Sequence, residues 1–279
     1  MRNEKKVLIA YGNAGAGHKK AAHAIENAFK AINRNDIDIK VIDTLDYSTQ
    51  FFKKAYPAIY IFLVNRIPVI WGMGYYLFDT RAIYKMFIAP ARRIHNFLNC
   101  FRLVHFLKRY NPDIIINTHF LGSEVMADMK RRGMLKDAKL VSVVTDYFMH
   151  SFWVDNAIDY YCVAQEESKE HLMKRGIAPE KIRVFGIPID EAFSVKKGKR
   201  QLCAKLNIKD DCRTVLIGSG GFGVGPVKEL VKELSGAEIC KQLLVVCGKN
   251  PELYRDISKL AEESKVPVKA YEFVDNMDE

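Results

Sequence analysis

The feature that most constrains this chain is a short apolar strand that runs into a glycine-rich loop and then into an amphipathic helix. Residues 7–11 are apolar, residues 12–18 read Gly-Asn-Ala-Gly-Ala-Gly-His, and apolar side chains then recur at steps of three and four up to Ile32. A strand that leads through a tight loop into a helix is the first half of a βαβ unit. The pattern therefore predicts a parallel sheet with crossover helices.

Apolar runs and helical patterns continue to alternate along the chain. Further strands are predicted at residues 37–42, 113–117, 140–145, 160–164 and 182–185, with a helix over 166–175. After a lysine-rich stretch, a second series of strands is predicted at residues 214–217, 243–246 and 266–273, with a helix near 253–263. We therefore expect an α/β protein with two Rossmann-like domains, over residues 1–190 and 191–279.

Each domain begins with a strand that leads into a glycine-rich loop. The second loop reads Gly-Ser-Gly-Gly-Phe-Gly-Val-Gly over residues 218–225, and Pro226 after it suits the first turn of a helix. Glycine loops at the carboxyl ends of strands are typical of nucleotide and phosphate sites, because the backbone can approach the ligand closely. The two loops predict two domains that share one ligand cleft.

The first loop differs from two well-known phosphate motifs. Gly12 and Gly17 have Walker A spacing, but His18 and Lys19 follow them in place of Lys and Ser or Thr, so nothing is placed to hold Mg²⁺. The glycine order also departs from the dinucleotide pattern, and Asp43 is a weak match for its ribose-binding acid. Free amides at the start of the helix favour an anionic ligand, and His18 is a candidate base. The alternative is an ordinary turn with a surface histidine.

Positive charge and aromatic side chains are concentrated in residues 51–112, here called the basic aromatic window. This window holds ten Lys or Arg against Asp79 alone, and 15 of the 31 aromatic residues, in a chain of net charge +10. A membrane span is rejected because Pro57, Arg66 and further Pro and Gly residues interrupt the apolar run. Docking on an anionic membrane surface is favoured, and nucleic-acid binding or a buried helical face are the alternatives.

Cysteine spacing and the N-terminus exclude other classes. The six cysteines form no C-x-x-C pair and have no histidine at metal-ligand spacing, so we expect reduced thiols and no metal site. The first residues lack the apolar region of a signal peptide, which favours an intracellular protein.

Several polar residues follow predicted strands and are candidates for an acceptor site. Asp146 and His150 come after residues 140–145, and His119 closes the strand at residues 113–117. The alternative roles are a capping Asp and surface histidines. Trp153 is expected to pack in the core, and His23, His95, His105 and His171 are expected to be ordinary helix residues.

Four ordered blocks resemble the monogalactosyldiacylglycerol synthase family, which includes the bacterial processive diacylglycerol glucosyltransferases. The blocks are residues 12–18, the stretch Val-Thr-Asp-Tyr-Phe-Met-His-Ser-Phe-Trp at 144–153, Gly-Ile-Pro-Ile at 186–189, and Gly-Gly-Phe-Gly-Val-Gly at 220–225. The resemblance implies a GT-B fold with an N-terminal lipid-acceptor domain and a C-terminal UDP-sugar domain. It also implies an inverting, metal-independent transfer from UDP-hexose to diacylglycerol or a related lipid on the cytoplasmic face of the membrane, without a cofactor and without nucleic acid.

The resemblance also implies roles for individual residues. His18 matches the family's proposed base. The residues expected at the acceptor are Gly17, His119, Asp146 and His150. The residues expected at the UDP donor are Gly15, Gly220, Gly221, Phe222, Gly223, Gly248 and Val274.

The family continues past the Val-Asp-Asn segment at residues 274–276 into a further glycine-rich stretch and a Glu-bearing helix, which find no match here. We therefore expect a partial donor domain and little or no transferase activity from residues 1–279 alone. Two alternatives stay open. One is a non-catalytic lipid- or nucleotide-binding module, and the other is a UDP-N-acetylglucosamine-dependent transferase with another lipid acceptor.

Overall fold

The computed structural model describes residues 4–13, 15–67, 72, 73, 80, 84–237 and 241–279. Ala14, Cys240 and part of the basic aromatic window, Asp79 and Arg81 included, lie outside these residues. The chain forms two compact units, Met1–Glu191 and Ala192–Glu279. This division falls one residue from the boundary expected from the sequence, and the lipid and nucleotide roles of the two halves stay predictions.

The first unit is built on a six-stranded parallel sheet. Its strands are β1 (Lys5–Tyr11), β2 (Ile37–Asp43), β3 (Ile114–Asn117), β4 (Lys139–Val143), β5 (Tyr160–Val163) and β6 (Ile182–Val184). The spatial order is β2-β1-β3-β4-β5-β6. The chain moves from β1 to one side of the sheet and returns to the other side at β3, so a topological switch point lies between β1 and β3.

Helices cover both faces of this sheet. They are α1 (Ala16–Ile32), α2 (Gln50–Arg66), α3 (Ala89–Asn99), α4 (Phe101–Tyr110), α5 (Phe120–Arg131) and α6 (Glu166–Lys174). Short 3₁₀ turns lie at Thr44–Tyr47, Ser151–Trp153, Pro179–Lys181 and Glu191–Ser194, and a π-helical turn at Tyr84–Ile88 leads into α3.

The central strand β1 is buried on both sides, as expected for a parallel sheet between two helical layers. Val7 and Ile9 pack on one face with Ala22 of α1. Leu8 and Ala10 pack on the other face in a larger cluster that includes residues of α4 and α5. Because successive side chains of a strand alternate between faces, the continuous apolar run at residues 7–10 supplies both cores.

The second unit has a three-stranded parallel sheet in the order β7-β8-β9. Its elements are α7 (Lys199–Leu206), β7 (Thr214–Gly218), α8 (Val227–Gly236), β8 (Gln242–Val246), α9 (Pro251–Glu263) and β9 (Val268–Tyr271). Leu243 and Val245 of β8 are fully buried against Val231 and Ile257 of the helices. Pro226 precedes α8 as its N-cap residue instead of lying in the first turn, because its ψ of 52° is outside the helical range.

The basic aromatic window contains both a core face and a surface face. Phe52, Leu103 and Leu107 are buried in the larger cluster of the first unit. Other apolar side chains are exposed, here called the exposed apolar surface: Phe51, Ile59 and Phe62 of α2, Met86 and Phe87 of the π turn, and Ile94 and Leu98 of α3. Helix α2 continues through Pro57 to Arg66. Within the described residues, we find no helix that combines the length and apolar character needed to cross a membrane.

Candidate active site

The predicted catalytic and acceptor residues of the first unit lie after β1, β3 and β4, three neighbouring strands of the sheet. His18 follows β1, His119 follows β3, and Asp146 and His150 follow β4. The crevice outside the carboxyl ends of the strands, at the switch point, is where open α/β sheets bind ligands. The strand order therefore brings distant sequence motifs together at a position suited to a ligand.

The glycine-rich loop places His18 in the first turn of α1. The helix begins at Ala16, earlier than the sequence predicted, and Gly15 is its N-cap with an extended backbone. The amides of Ala16, Gly17 and His18 therefore belong to the first helical turn and have no partner within the helix. A Cβ atom on Gly17 would meet no atom within 4 Å, so this glycine borders open space beside the first helical turn. Such a helix start favours an anionic group.

Gly12 serves a different purpose from the one predicted. A Cβ atom at this position would lie 2.8 Å from Cγ of His119. The missing side chain therefore makes room for a histidine of the protein, and not for a bound ligand. Asp43, the weak match for a ribose-binding acid, lies at the end of β2. It accepts hydrogen bonds from the backbone amides of Asn13 at 3.3 Å and Leu45 at 2.9 Å, so it stabilises the glycine-rich loop.

Three contacts hold His18 in place. Its Nδ1 lies 2.7 Å from the backbone oxygen of Thr118 and 2.8 Å from Oγ1 of Thr145. The Thr118 hydroxyl donates a hydrogen bond of 2.8 Å to the backbone oxygen of His18. Because a carbonyl oxygen can only accept, Nδ1 carries the proton in the bond to Thr118. Nε2 of the neutral ring then keeps its lone pair and can act as a base.

Burial sets the protonation state of His18. Desolvation lowers the pKa of His18 below its ordinary value, and the Thr118 carbonyl and the charge of Asp146 oppose this shift. The neutral ring is therefore the resting form near neutral pH, which is the form that a general base requires.

His119 and His150 are buried, and they cap α5 and the 3₁₀ turn at Ser151–Trp153, so they are not the surface histidines of the alternative interpretation. Nδ1 of His119 accepts from the amide of Leu121 at 3.1 Å, and Nδ1 of His150 accepts from the amide of Phe152 at 3.2 Å. Burial lowers the pKa of His119 well below its ordinary value, and the nearby His18 and Arg92 act in the same direction. The ring of His119 packs edge-on against that of His18, with 4.5 Å between their centroids. Direct acceptor contacts for the two capping histidines stay predictions.

Asp146 is oriented by Trp153. The indole Nε1 donates a hydrogen bond of 2.7 Å to Oδ2 of Asp146. Trp153 is 1% exposed, as expected for a packing residue, and its ring centroid lies 6.4 Å from that of His18. The aspartate is therefore held at the same carboxyl edge of the sheet as His18, where its charge acts on the imidazole ring.

A buried ion pair beside this site had no signal in the sequence. Nη2 of Arg92 in α3 donates to Oε2 of Glu124 in α5 at 2.7 Å, and Asn96 donates to the same oxygen at 2.9 Å. The Arg92 guanidinium lies over the ring of Phe152, 3.6 Å from its centroid. Arg92 is one of the ten basic residues of the basic aromatic window, for which membrane docking was predicted. Its contact with Phe152 places it inside the first unit instead.

The predicted donor residues of the second unit lie in the loops after its three strands. Gly220, Gly221, Phe222 and Gly223 follow β7, Gly248 follows β8, and Val274 follows β9. Gly220, Gly223 and Gly248 have positive φ angles. A Cβ atom on Gly223 would lie 2.2 Å from the backbone oxygen of Cys247, and one on Gly248 would lie 2.4 Å from that of Gly220. These glycines are needed for the two loops to pack on each other, and nucleotide contacts at this edge stay a prediction.

Structure comparison identifies the fold. The chain superposes on HepE of Anabaena in complex with UDP-glucose with a TM-score of 0.54, at 13% identity over 98% of this chain and 70% of HepE. It superposes on MnaA of S. aureus in complex with UDP with a TM-score of 0.53, at 14% identity over 97% of this chain and 70% of MnaA. The chain therefore has the α/β fold of GT-B type that the sequence predicted.

Sequence comparison then places the chain in a family. The family model described as monogalactosyldiacylglycerol (MGDG) synthase matches residues 18–189. The chain is 32% identical, over 99% of its length, to the chloroplastic monogalactosyldiacylglycerol synthase of Spinacia oleracea, and covers 53% of that protein. It is 30% identical, over 100% of its length, to a processive diacylglycerol beta-glucosyltransferase of Bacillus cereus, and covers 69% of it. The chain belongs to the monogalactosyldiacylglycerol synthase family, and it spans about half the length of the plant relatives that it matches.

Proposed function

We propose that the protein containing these residues transfers a hexose from a UDP-hexose to diacylglycerol, with inversion at the anomeric carbon and without a metal ion. The observation that carries this proposal is His18 at the switch point, with Nδ1 hydrogen-bonded to the Thr118 carbonyl and Nε2 left as the basic nitrogen. Membership of a family that includes diacylglycerol glycosyltransferases supports the choice of substrates.

The proposed reaction needs one proton transfer and one displacement. Nε2 of His18 takes the proton of the lipid hydroxyl while that oxygen forms a bond to the anomeric carbon. The bond from the anomeric carbon to the diphosphate oxygen breaks, and its electron pair leaves with UDP. The first-turn amides of Ala16 and Gly17, which have no partner within the helix, offer hydrogen bonds to the negative charge that develops on the leaving phosphates.

The experiment compares His18→Ala with His23→Gln in the full-length protein, with UDP-hexoses and diacylglycerol. Both residues lie in α1, but the ring of His23 is hydrogen-bonded to the Glu26 carboxylate, outside the candidate site. We expect kcat to fall at least about a hundredfold in His18→Ala, since general base catalysis contributes about 10²–10⁴-fold. His23→Gln should keep the activity. Unchanged turnover in His18→Ala would remove this residue from the mechanism, and a wild-type protein inactive with every UDP-hexose would contradict the transferase proposal.

We further propose that the exposed apolar surface docks on the cytoplasmic face of the membrane. Helices α2 and α3 are neighbours, because the ring of Phe52 lies 5.5 Å from that of His95 and the amide of Thr49 donates to Asn99 at 2.9 Å. Exposed positive charge is supplied by Lys54 of α2 and by Arg102 of α4, the helix that follows α3. Apolar side chains that enter the headgroup region beside basic residues are typical of peripheral binding to anionic lipid.

Co-sedimentation with vesicles of phosphatidylglycerol and phosphatidylcholine tests this surface. The double variant Ile94→Ser with Leu98→Ser should bind at least about tenfold more weakly, since burying one such side chain contributes about 1.5–3 kcal/mol. Ile32→Ser is the matched control, because Ile32 on α1 is 61% exposed and Ile94 is 62% exposed. Equal binding by the double variant and the control would contradict docking through α3. Stronger binding to RNA or DNA than to the vesicles would favour the nucleic-acid alternative.

A further inference from the structure

We infer that Thr145 is a positioning residue, which together with the Thr118 carbonyl holds Nδ1 of His18 so that Nε2 faces the acceptor as the base. This inference rests on the proposed function, because it assigns a role within the same site. Its support is the convergence of two oxygen atoms, from the ends of two different strands, on one ring nitrogen.

The distances fix which atom donates. Nδ1 of His18 has one proton, and the two nearest oxygens are the Thr118 carbonyl at 2.7 Å and Oγ1 of Thr145 at 2.8 Å. Since the carbonyl cannot donate, the Nδ1 proton is shared between two acceptors in a bifurcated bond. The Thr145 hydroxyl proton is then free to point elsewhere.

The main chain of His18 is fixed by the same segment that fixes its ring. Oγ1 of Thr118 donates to the backbone oxygen of His18 at 2.8 Å, so the first turn of α1 is tied to the end of β3. The neighbouring rings of His119 at 4.5 Å and Trp153 at 6.4 Å limit rotation of the imidazole. With backbone, ring plane and Nδ1 all held, the direction of Nε2 is determined before a ligand binds.

The second acceptor also adjusts the strength of the base. When Nε2 takes the proton of the acceptor hydroxyl, the ring becomes positive and its bonds from Nδ1 strengthen. An oxygen on Nδ1 therefore favours the imidazolium more than the neutral ring. Burial acts in the opposite direction and lowers the pKa of His18. Removal of the Thr145 oxygen should lower that pKa further and weaken the base.

Thr145→Val and Thr145→Ser form a matched pair for the test. Valine keeps the shape of threonine without the oxygen, and serine keeps the oxygen without the methyl group. In the full-length protein, Thr145→Val should lower kcat about tenfold, leave the KM for UDP-hexose unchanged, and move the acid limb of the kcat/KM profile down by about one pH unit. Thr145→Ser should resemble the wild type in all three.

A second readout does not depend on turnover. The imidazole nitrogens of ¹⁵N-histidine-labelled protein report tautomer and titration directly, with His18 assigned from the signal lost in His18→Gln. We expect the wild type to carry its proton on Nδ1, and Thr145→Val to titrate at lower pH than Thr145→Ser.

Three results would overturn the inference. They are a wild-type proton on Nε2, equal His18 titration in the valine and serine variants, and a lower pKa in Thr145→Val without loss of kcat. If the wild type transfers no sugar, the proposed function fails and the catalytic role of Thr145 fails with it, while the nitrogen spectra still decide whether Thr145 holds the ring.

Discussion

At the scale of single residues, the site depends on Gly12, which has no side chain, and on His18, whose proton is held on Nδ1. Gly12 allows the His119 ring to lie within 3 Å of where a Cβ atom would stand, and His119 in turn packs against His18. The Thr118 carbonyl then decides which nitrogen of His18 is basic. The catalytic candidate is therefore supported by residues that need not touch a substrate.

Gly12→Ala and Gly17→Ala should have opposite consequences for stability. The new Cβ at position 12 meets the buried His119 ring, so the free energy of unfolding should fall by about 1–3 kcal/mol, the usual cost of overpacking. The new Cβ at position 17 meets nothing within 4 Å and lies in a helix, where alanine is favoured over glycine by about 1 kcal/mol. Urea unfolding measures both, and equal losses would show that the loop is not packed as described.

Gly17→Ala should nevertheless lower the activity of the full-length protein. Its added methyl group enters the open space beside the first helical turn, where the proposed mechanism brings the diphosphate. We expect a raised KM for UDP-hexose in steady-state assays. Lys19→Ala serves as the control, because this exposed side chain lies on the same helix two residues further on.

At the scale of elements, helices α3 and α5 are joined by polar contacts inside the first unit. Glu124 of α5 accepts from both Arg92 and Asn96 of α3, and Arg92 covers the Phe152 ring in the turn beside Trp153. This arrangement connects the helix that bears Ile94 and Leu98 with the helix that His119 caps. A change in the packing of α3 would therefore reach the active site through α5.

Glu124→Ala should destabilise the first unit strongly. Removal of the carboxylate leaves the Arg92 guanidinium largely buried without its charge partner, a change that costs about 3–5 kcal/mol. The control is Glu170→Ala on α6, whose carboxylate lies 3.8 Å from Lys174 on the surface, and this change should stay within about 0.5 kcal/mol. Thermal and urea unfolding of the two variants test the difference. Similar values for both would mean that Arg92 is solvated.

At the scale of the whole molecule, the sequence was sufficient for the order of elements but not for the contacts between them. Within the described residues, the nine strands lie near their predicted positions, because continuous apolar runs bounded by glycine, proline and polar residues mark buried parallel strands. The start of α1 was misplaced, since glycine is permissive and gives no sharp boundary. The Arg92–Glu124 pair and the use of Gly12 by His119 had no local signal, because each depends on residues brought together only by the fold.

Lower pH should destabilise the first unit through its buried histidines. The pKa values of His18 and His119 are both lowered in the folded state, mainly by burial. Below the unfolded pKa of about 6.5, the unfolded chain binds protons that the folded chain does not, so the stability present above that pH is lost as the pH falls. Each histidine can contribute up to about 1.4 kcal/mol per pH unit between its two pKa values.

Urea unfolding at about pH 7.5 and about pH 5.5 measures this loss of stability. His119→Asn removes one of the titrating groups while its amide oxygen can still cap α5, so its loss between the two pH values should be smaller than that of the wild type. Equal losses in the two proteins would show that His119 can be protonated in the folded state.

The strand order also determines when the site can exist. His18 is separated by 100 residues from Thr118 and by 127 from Thr145, yet its ring nitrogen contacts both. During synthesis, β1 and the glycine loop leave the ribosome long before the segments that orient the histidine. A basic Nε2 of fixed direction therefore arises only after β3 and β4 have joined β1. A nascent chain that lacks these strands contains His18 but not the threonines that orient its ring.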